Sequence, residues 1–420
     1  MIKAVKGTRD ILPPASGQWA FVETRVRDIF GRYRYAEIRT PVFEESELFR
    51  RGVGEETDIV SKEMYTFSDR DGSSITLRPE NTASVMRAYI EHRLDQLPGI
   101  QKLYYMGPMF RRERPQKGRY RQFHQIGAEV IGSERPEVDG EVITMVFDLL
   151  QATGVKDFQI LLNSVGCSEC RPAFLAKLRD ALNSVKSHLC QDCQRRSDAN
   201  PLRVLDCKVP ADQHLINLLP SILDSHCQRC REHFDVVKGM LSDLAIPFII
   251  YPRLVRGLDY YMRTTFEFTQ SALGSQNSIL GGGRYDGLAA QLGSRVPAPG
   301  IGFSIGQDRL MMALEEEFGN RPSVLDVFIA PLGASATRLC STLAHTLRGG
   351  GASVEVGFDA KLKRALELAH KLNARYTLIV GDDEVRSGQY LLKEMSTGSQ
   401  ELVSRQHLLS KLSIATEHGI

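Results

Sequence analysis

The order of helix and strand patterns in the first 160 residues is the feature that most constrains the fold. Residues 18–33 carry apolar side chains at helical spacing, and Glu37–Pro41 then reads as an extended segment. Strands are predicted at Ser74–Leu77, Leu103–Met109 and Gln122–Ile131, and helices at Thr82–His92 and Val138–Thr153. Because helices do not alternate with single strands, this order favours an α+β fold with a mostly antiparallel sheet flanked by helices.

The pattern changes between residues 167 and 238. This block is cysteine-rich, basic and helical in pattern, and extended segments resume at Ile246. The segment Ile249 to Thr269 is again rich in β-branched and aromatic residues. Glycine-rich segments follow at 281–287 and 300–306. The block is therefore interpreted as a helical insert, with the second half of the first fold on its C-terminal side.

A second unit is predicted after the charged, proline-containing linker near residues 315–323. Strand patterns at 324–330, 353–356 and 376–380 alternate with helical patterns at 334–347 and 361–372. This β-α-β-α-β order predicts a small, mostly parallel α/β domain. A chain of 420 residues can hold both domains, namely residues 1–320, interrupted by 167–238, and residues 324–420.

Composition excludes a membrane protein. Hydrophobic residues make up 42% of the chain and charged residues 25%, and the apolar runs are far too short to cross a bilayer. The first residues include Lys3, Lys6, Arg9 and Asp10, where an export signal would be apolar. The cytoplasm is therefore the expected location. A net charge of +2 neither excludes nor indicates a nucleic-acid partner.

The densest candidate site is the segment Phe110–Gln125. Six cationic side chains lie there between two predicted strands, and Tyr120 and Phe123 are interleaved with them. Arginines beside an aromatic ring suit phosphates next to a stacked base. A solvated basic hairpin is the alternative interpretation, because charge runs are usually exposed faces.

Three further clusters follow in the order Arg256–Tyr261, Gly281–Gly287 and Gly300–Leu310. Taken singly, each cluster also has a simpler interpretation. Arg256–Tyr261 fits a capped surface turn with packed tyrosines, Gly281–Gly287 fits a flexible turn, and Gly300–Leu310 fits the start of a helix. The glycine spacing is not that of a dinucleotide-binding loop. Together with Phe110–Gln125, the clusters outline an ATP site that needs no Walker loop.

These segments resemble the histidyl-tRNA synthetase family over almost the whole chain. Phe110–Gln125 resembles motif 2 of class II synthetases, and Gly302–Arg309 resembles motif 3. The remaining likenesses are the family's opening at Lys6–Asp10, motif 1 at Arg39–Pro41, the amino-acid-binding turn at Leu77–Thr82, and the two histidine signatures at Arg256–Tyr261 and Gly281–Leu288. Asn81 departs from the pattern, since many members carry glycine there.

The resemblance implies an enzyme that activates L-histidine with ATP and transfers histidine to the 3′ end of tRNA(His). It also implies a homodimer with the motif 1 proline, Pro41, at its interface, and Mg²⁺ on the pyrophosphate leaving group. The stretch with Lys361, Lys363 and Arg364 resembles the family's anticodon-binding module. An exposed helix face is the alternative interpretation of those three cations.

Roles carried over from the family assign each candidate residue. Histidine would contact Glu80, Thr82 and Gln125 through its α-ammonium, and Glu129 and Tyr261 around its imidazole. Tyr260 is also assigned to histidine binding. Arg111 and Arg256, the catalytic pair, would hold the α-phosphate and the substrate carboxylate. Arg119 and Arg309 would bind the outer phosphates and Phe123 the adenine, whereas Arg114, Gln116 and Lys117 would touch the acceptor stem.

Seven of the eight cysteines lie in the insert. Cys167-x-x-Cys170 and Cys190-x-x-Cys193 have a spacing compatible with a four-cysteine zinc site, and Cys207, Cys227 and Cys230 follow. Disulfides are not expected in the inferred compartment. Reduced thiols in a helical insert are favoured over structural zinc, and neither interpretation is expected to bear on catalysis.

Two alternatives to the charging enzyme exist. One is the synthetase-like regulatory subunit of ATP phosphoribosyltransferase, which typically loses motif 2 and histidine-signature residues and has no anticodon domain. The other is a non-catalytic RNA-binding or sensor protein with a basic loop but no complete amino-acid pocket. Arg111, Arg119, Glu129, Arg256 and residues 324–420 argue against both.

Overall fold

The computed structural model describes residues 2–55, 57–314, 325–358 and 361–412. They divide into two units, one ending at 314 and the other beginning at 325. The linker predicted near Asn320 to Ser323 lies outside the described residues. Within the described ranges, no helix is both long and apolar enough to cross a membrane.

The first unit contains eleven strands among its described residues. They are β1 (Ala36–Glu37), β2 (Phe43–Glu45), β3 (Tyr65–Ser68), β4 (Ser74–Leu77), β5 (Gln101–Phe110), β6 (Gln122–Ile131), β7 (Phe158–Ser164), β8 (Ile249–Ile250), β9 (Met262–Gln270), β10 (Ser278–Arg284) and β11 (Gly300–Gly306). Its α-helices are α1 (Ala15–Arg32), α2 (Ser46–Val53), α3 (Thr82–Glu91), α4 (Pro136–Thr153), α5 (Arg171–Val185), α6 (Gln191–Ala199), α7 (Gln213–Leu218), α8 (Gln228–Asp243), α9 (Leu288–Gln291) and α10 (Gln307–Ala313).

Eight of these strands form one sheet in the order β1-β5-β6-β11-β10-β9-β7-β8. The six central strands, which run from β5 to β7 in this spatial order, are all paired antiparallel. Only the two-residue edge strands, β1 and β8, pair in parallel with their neighbours. The prediction of a mostly antiparallel sheet with flanking helices is confirmed. Strands β2, β4 and β3 make a separate antiparallel sheet.

Alternation along the central strands divides the large sheet into two different faces. On β6, Ile126, Ala128 and Val130 join the main apolar core, and the residues between them point to the opposite face. Helices α1 and α4 cover the apolar face with side chains such as Phe30 and Val146. The polar residues of the sheet are thereby collected on the other face.

The insert is helical, with its own small core. Helices α5 to α8 lie between β7 and β8 in the chain. Phe174, Leu178 and Leu182 of α5 pack with Val204 and Ile216. The last helix, α8, also packs against α4 of the main domain. The insert is therefore attached to the helical layer that covers the apolar face of the large sheet.

The second unit contains a five-stranded sheet. Its strands are β12 (Leu325–Pro331), β13 (Val354–Val356), β14 (Ala374–Val380), β15 (Gln389–Glu394) and β16 (Gln400–Ser404), in the order β13-β12-β14-β15-β16. Its helices are α11 (Ala334–Gly349), α12 (Leu362–Lys371), α13 (Asp382–Ser387) and α14 (Arg405–Leu412).

The prediction of a mostly parallel sheet is right only for β12, β13 and β14. Strands β15 and β16 extend the sheet by antiparallel pairing, so half of the strand pairs are antiparallel. The hairpin has a weak sequence signal because β16 is mostly exposed and Val403 is its one buried residue. An antiparallel pair needs only a tight turn, which Gly398 supplies at φ +76°.

Close packing of β10 against β11 gives a test of the fold. A Cβ at Gly282 would lie 2.4 Å from the carbonyl oxygen of Gly302 and 2.5 Å from the Phe266 ring. Gly282→Ala should therefore lower the free energy of unfolding by about 1–3 kcal/mol, because the neighbouring backbone cannot yield freely. Urea unfolding of the full-length protein, followed by circular dichroism, measures this change.

The matched control is Gly239→Ala in α8, where an added Cβ would meet nothing within 4 Å. That change should leave the stability equal or raise it by up to about 1 kcal/mol, since alanine favours the helix. Equal unfolding midpoints for the two variants would contradict the observed strand register.

Candidate active site

The polar face of the large sheet forms the floor of a cavity of about 400 Å³. Gln125 of β6, Ser304 of β11 and Glu267 of β9 all point to this face, because side chains alternate between the two faces along each strand. Gly281 of β10 lies beside Ser304 in the register. A Cβ at Gly281 would fall 2.2 Å from the Arg256 guanidinium, so the glycine lets that side chain lie directly against the strand.

Ten of the predicted site residues line this one cavity. They are Glu80, Thr82, Arg111, Arg119, Phe123, Gln125, Arg256, Tyr260, Tyr261 and Arg309. They come from four segments that are separate in the sequence, and the fold of the large sheet and its flanking helices brings them together. The remaining candidates lie elsewhere: Glu129 below the cavity wall, and Arg114, Gln116 and Lys117 on an exposed loop.

One end of the cavity carries hydrogen-bonding groups from the start of α3. The Glu80 carboxylate accepts the backbone N–H of Thr82 at 2.7 Å and that of Ala83 at 3.0 Å. Burial nevertheless raises the pKa of Glu80. The buried Oε1 of Gln125 has no hydrogen-bond partner among the described residues. These oxygens can accept hydrogen bonds from a small cation.

Glu129 lies directly behind this group and is only 1% exposed. Its carboxyl oxygens accept hydrogen bonds from Thr82 Oγ1 at 2.8 Å and from the Tyr285 hydroxyl at 2.5 Å. Burial raises the pKa of Glu129 to about 8, against the lowering effect of these hydrogen bonds. Thr82 thus links the cavity surface to a carboxyl group in the layer below.

Two aromatic side chains form the adjoining wall. Tyr260 and Tyr261 are buried, with ring centroids 4.6 Å apart, and both face the cavity. Burial raises the pKa of both phenols, so they remain neutral hydrogen-bonding groups at ordinary pH. The wall can therefore contact a flat polar ring and bond to its edge.

The two predicted catalytic arginines lie on the cavity wall with different supports. Arg111 Nε donates to the Pro79 carbonyl at 2.9 Å, and its guanidinium stands 5.2 Å from the Phe123 ring centre. Arg256 approaches Glu267 Oε1 at 3.8 Å, and its buried Nε has no hydrogen-bond partner among the described residues. An arginine whose N–H groups are not all used by the protein can bind a phosphate.

Arg119 and Arg309 lie at the side of the cavity formed by the loop between β5 and β6. Arg309 Nη1 donates to the Ser278 carbonyl at 3.0 Å, and Arg119 Nη1 pairs with Glu113 at 3.2 Å. Burial, followed by the neighbouring charge of Arg119, lowers the pKa of Arg309. Two cations held close together favour a ligand with several negative charges.

The tip of the same loop faces solvent. Arg114, Gln116 and Lys117 are exposed, while Gly118, Arg119 and Tyr120 reach the cavity. Backbone bonds between Gln116 and Arg119 close the loop tip. The loop can thus contact one ligand inside the cavity and another outside it.

Several cavity residues were not predicted. Arg203 and Asp206 belong to the insert, so the insert contributes to the wall of the pocket. Glu63, Glu113 and Glu267 add carboxylates. The alternation around Glu267, with Phe266 and Phe268 in the core, was the sequence signal for its orientation. The sequence gives no comparable signal for the two insert residues, because only tertiary packing brings them there.

The four cysteines whose spacing was compatible with a zinc site, Cys167, Cys170, Cys190 and Cys193, do not lie together in one group. Cys167 and Cys170 lie with Cys227 and Cys230, whereas Cys190 and Cys193 lie with Cys207 and Asp212. The first pair precedes α5 and the pair at 227–230 begins α8, so helix packing in the insert joins residues 60 positions apart. Spacing along the chain favoured Cys190 and Cys193, the next cysteine pair in the sequence, as partners of Cys167 and Cys170. It contains no information on which helices of the insert pack together.

In the second unit, Lys361, Lys363 and Arg364 lie exposed at the beginning of α12. Their assignment to anticodon binding stays a prediction. Cys340 is buried in the core of the same unit and belongs to neither cysteine group.

Comparison with known proteins matches both units. Residues 7–310 match the family model for histidyl-tRNA synthetase, and residues 326–413 match the anticodon binding domain. The histidine–tRNA ligase of Solibacter usitatus is 62% identical over 417 residues, covering 99% of this chain and 100% of that relative.

Solved structures agree with this result. The apo S. aureus histidyl-tRNA synthetase has a TM-score of 0.82 at 38% identity, covering 98% of this chain and 100% of its own. A Bacillus halodurans protein described as an ATP phosphoribosyltransferase regulatory subunit/histidyl-tRNA synthetase has a TM-score of 0.66 at 20% identity, covering 91% and 98%, and shares the fold. The anticodon-domain match is the feature that the regulatory alternative was expected to lack. The chain belongs to the histidyl-tRNA synthetase family.

Proposed function

We propose that this chain is a histidine–tRNA ligase that forms histidyl-adenylate in the described cavity and then transfers histidine to the 3′ end of tRNA(His). The observation that carries the proposal is that the four arginines predicted from the sequence converge in one cavity with a polar pocket for a small amino acid. The family membership and the full-length similarity to a histidine–tRNA ligase support the same reaction.

The amino-acid end binds the α-ammonium of histidine. Glu80 and Gln125 direct oxygen acceptors toward this position, and Thr82 lies between Glu80 and Glu129. A charge-assisted hydrogen bond from the ammonium to Glu80 is stronger than one between neutral groups. The unpartnered Oε1 of Gln125 supplies a second acceptor without breaking an existing bond.

The imidazole lies against Tyr260 and Tyr261. A neutral imidazole offers one N–H and one lone pair, so it needs an acceptor on one side and a donor on the other. Glu129 is the acceptor in this proposal, acting at the Thr82 side of the pocket, and Tyr261 is the donor. Amino acids without both groups would leave a buried polar atom unpaired.

The arginines stabilise the phosphate chemistry. The histidine carboxylate attacks the α-phosphate in line, pyrophosphate leaves, and negative charge builds up on the phosphate oxygens. Arg111 and Arg256 face the reacting groups, while Arg119 and Arg309 bind the outer phosphates and Phe123 stacks on adenine. Cations fixed in a cavity stabilise this charge without reorganising during the reaction.

Carboxylates on the same wall suit Mg²⁺. Glu113 and Glu267 would provide oxygen ligands beside the arginines, and Mg²⁺ is typically held by one or two carboxylates together with substrate phosphates. When bound, the ion would neutralise charge on the departing pyrophosphate.

The tRNA contacts lie outside the cavity. Arg114, Gln116 and Lys117 on the exposed loop tip would meet the acceptor stem, and the domain of residues 324–420 would bind the anticodon. We further propose a cytoplasmic homodimer with exposed Pro41 at its interface.

Arg256→Ala tests the phosphate chemistry. Removing one donor to a developing oxyanion commonly lowers the rate by about 10² to 10³. ATP–pyrophosphate exchange with histidine should fall by this factor, while tRNA binding, measured by filter retention, persists. Arg295→Ala removes an exposed arginine outside the cavity and should leave exchange unchanged. Near-normal exchange in the Arg256 variant would remove Arg256 from the mechanism.

Truncation after residue 319 tests the separation of activation from charging. All proposed adenylate residues precede the cut, so histidine-dependent exchange should survive substantially in a dimeric truncation. Charging of tRNA should fall steeply, since the contacts that position the distant part of the tRNA are gone. Aminoacylation as efficient as that of the full chain would show that residues 324–420 do not bind the anticodon.

A further inference from the structure

Seven cysteines of the insert form two groups, and one group is entirely sulfur. Cys167 Sγ lies 3.8 Å from Cys170 Sγ and 3.8 Å from Cys227 Sγ, and Cys170 Sγ lies 3.8 Å from Cys230 Sγ. All four sulfurs are within 4.8 Å of one another. They are free thiols, since a disulfide would bring two sulfurs to about 2.05 Å.

This spacing is that of ligands around one tetrahedral ion. Zn–S bonds of about 2.3 Å at tetrahedral angles place the sulfurs about 3.8 Å apart. The three printed contacts agree with this edge length. We propose that the insert binds two structural zinc ions, the first at Cys167, Cys170, Cys227 and Cys230.

The ends of two helices favour thiolate ligands at the first site. Cys170 immediately precedes α5, and Cys227 and Cys230 lie at the beginning of α8. The partial positive charge of a helix N-terminus stabilises negative charge on sulfur. The Cys167 backbone N–H also donates to Cys170 Sγ at 3.2 Å, which holds the first pair in a tight turn.

The second site is carried by a different set of atoms. Cys190 Sγ lies 3.9 Å from Cys207 Sγ, and Cys207 Sγ lies 3.4 Å from Asp212 Oδ2. With Zn–S near 2.3 Å and Zn–O near 2.0 Å, tetrahedral geometry predicts a sulfur–oxygen distance of about 3.5 Å. Cys193 completes the group within 4.8 Å, and Asp212 is only 2% exposed.

Burial argues that these ligands hold an ion. Asp212 would otherwise be a carboxylate with low solvent exposure whose hydrogen-bond donors are the Cys190 N–H, at 3.0 Å, and neighbouring thiols such as Cys207, with no cation among them. Buried charges are normally paired or bound to metal. Three sulfurs and one carboxylate suit zinc, and a sulfur-rich tetrahedral site excludes calcium and magnesium.

The first site connects directly to the histidine pocket. Arg171, which follows Cys170, donates to the Tyr261 carbonyl at 2.5 Å and to the Val165 carbonyl at 3.3 Å. Backbone bonds from Val165 to Arg263 and from Arg263 to Gly166 tie the same turn to β9. The ion would therefore fix the segment that carries Tyr261.

The second site connects to the cavity through the insert residues that line it. Cys207 follows Asp206, which lines the cavity, and Arg203 lies four residues before Cys207. Both ions thus support pocket residues indirectly, as positioning sites outside the reaction itself. Loss of either ion should raise the KM for histidine more than it lowers kcat.

Metal analysis of the full-length protein tests the proposal. Protein purified from zinc-containing medium without added metal should contain two zinc atoms per chain by mass spectrometry. Cys227→Ser/Cys230→Ser should lower the content to one, as should Cys193→Ser/Cys207→Ser. Cys340→Ser removes a buried cysteine outside both groups and should retain two. A wild-type content below one, or iron in place of zinc, would overturn the proposal. A content of one would overturn the claim of two ions, and the double variant that loses the remaining atom would identify the occupied site.

X-ray absorption at the zinc edge of the wild-type protein covers the case in which the variants do not fold. The first site has four sulfur ligands, and the second has three sulfurs and one carboxylate oxygen. The coordination shell averaged over both zinc ions should therefore contain seven sulfurs for each oxygen. Sulfur scattering near 2.3 Å should dominate the spectrum. A shell dominated by nitrogen or oxygen would show adventitious zinc on the surface and contradict both sites.

Discussion

A carboxyl group buried beneath the substrate cavity is the constraint on which much of the site depends. Glu129 is held by Thr82 at the start of α3 and by Tyr285 after β10, so one side chain joins three separate elements. Gly302 on the neighbouring strand leaves it room, since a Cβ there would lie 1.7 Å from Glu129 Oε2. The histidine-signature segment and motif 3 therefore both serve this carboxyl group.

The protonation of Glu129 links stability to pH in a defined direction. Burial raises the pKa to about 8 from 4.5, so the folded chain holds the proton more tightly than the unfolded chain. The resulting stabilisation is complete below pH 4.5 and is lost as the pH rises through about 8. An approaching imidazole N–H would favour the ionised form of Glu129. The form of Glu129 that recognises histidine is therefore the form that stabilises the fold less.

The sequence predicted the parts of the site that lie in short, continuous motifs. Gln125 and Glu129 were assigned to histidine from the family resemblance, and the arginine and glycine clusters were assigned to one ATP site from their order along the chain. The sequence could not indicate that Arg203 and Asp206 reach the cavity, or that Cys167 meets Cys227. These contacts arise from helix packing within the insert, whose periodicity gives each helix a buried face but does not identify its neighbour.

Histidine-dependent ATP–pyrophosphate exchange by Glu129→Gln tests the central claim most directly. The change keeps the shape of the side chain but prevents it from ionising when the imidazole N–H approaches, so the KM for histidine should rise on the order of 10- to 100-fold. The KM for ATP should change little. Glu91→Gln makes the same substitution on an exposed surface and serves as the control. Equal losses for histidine and ATP, or an unchanged KM for histidine, would contradict the assignment of Glu129 to imidazole recognition.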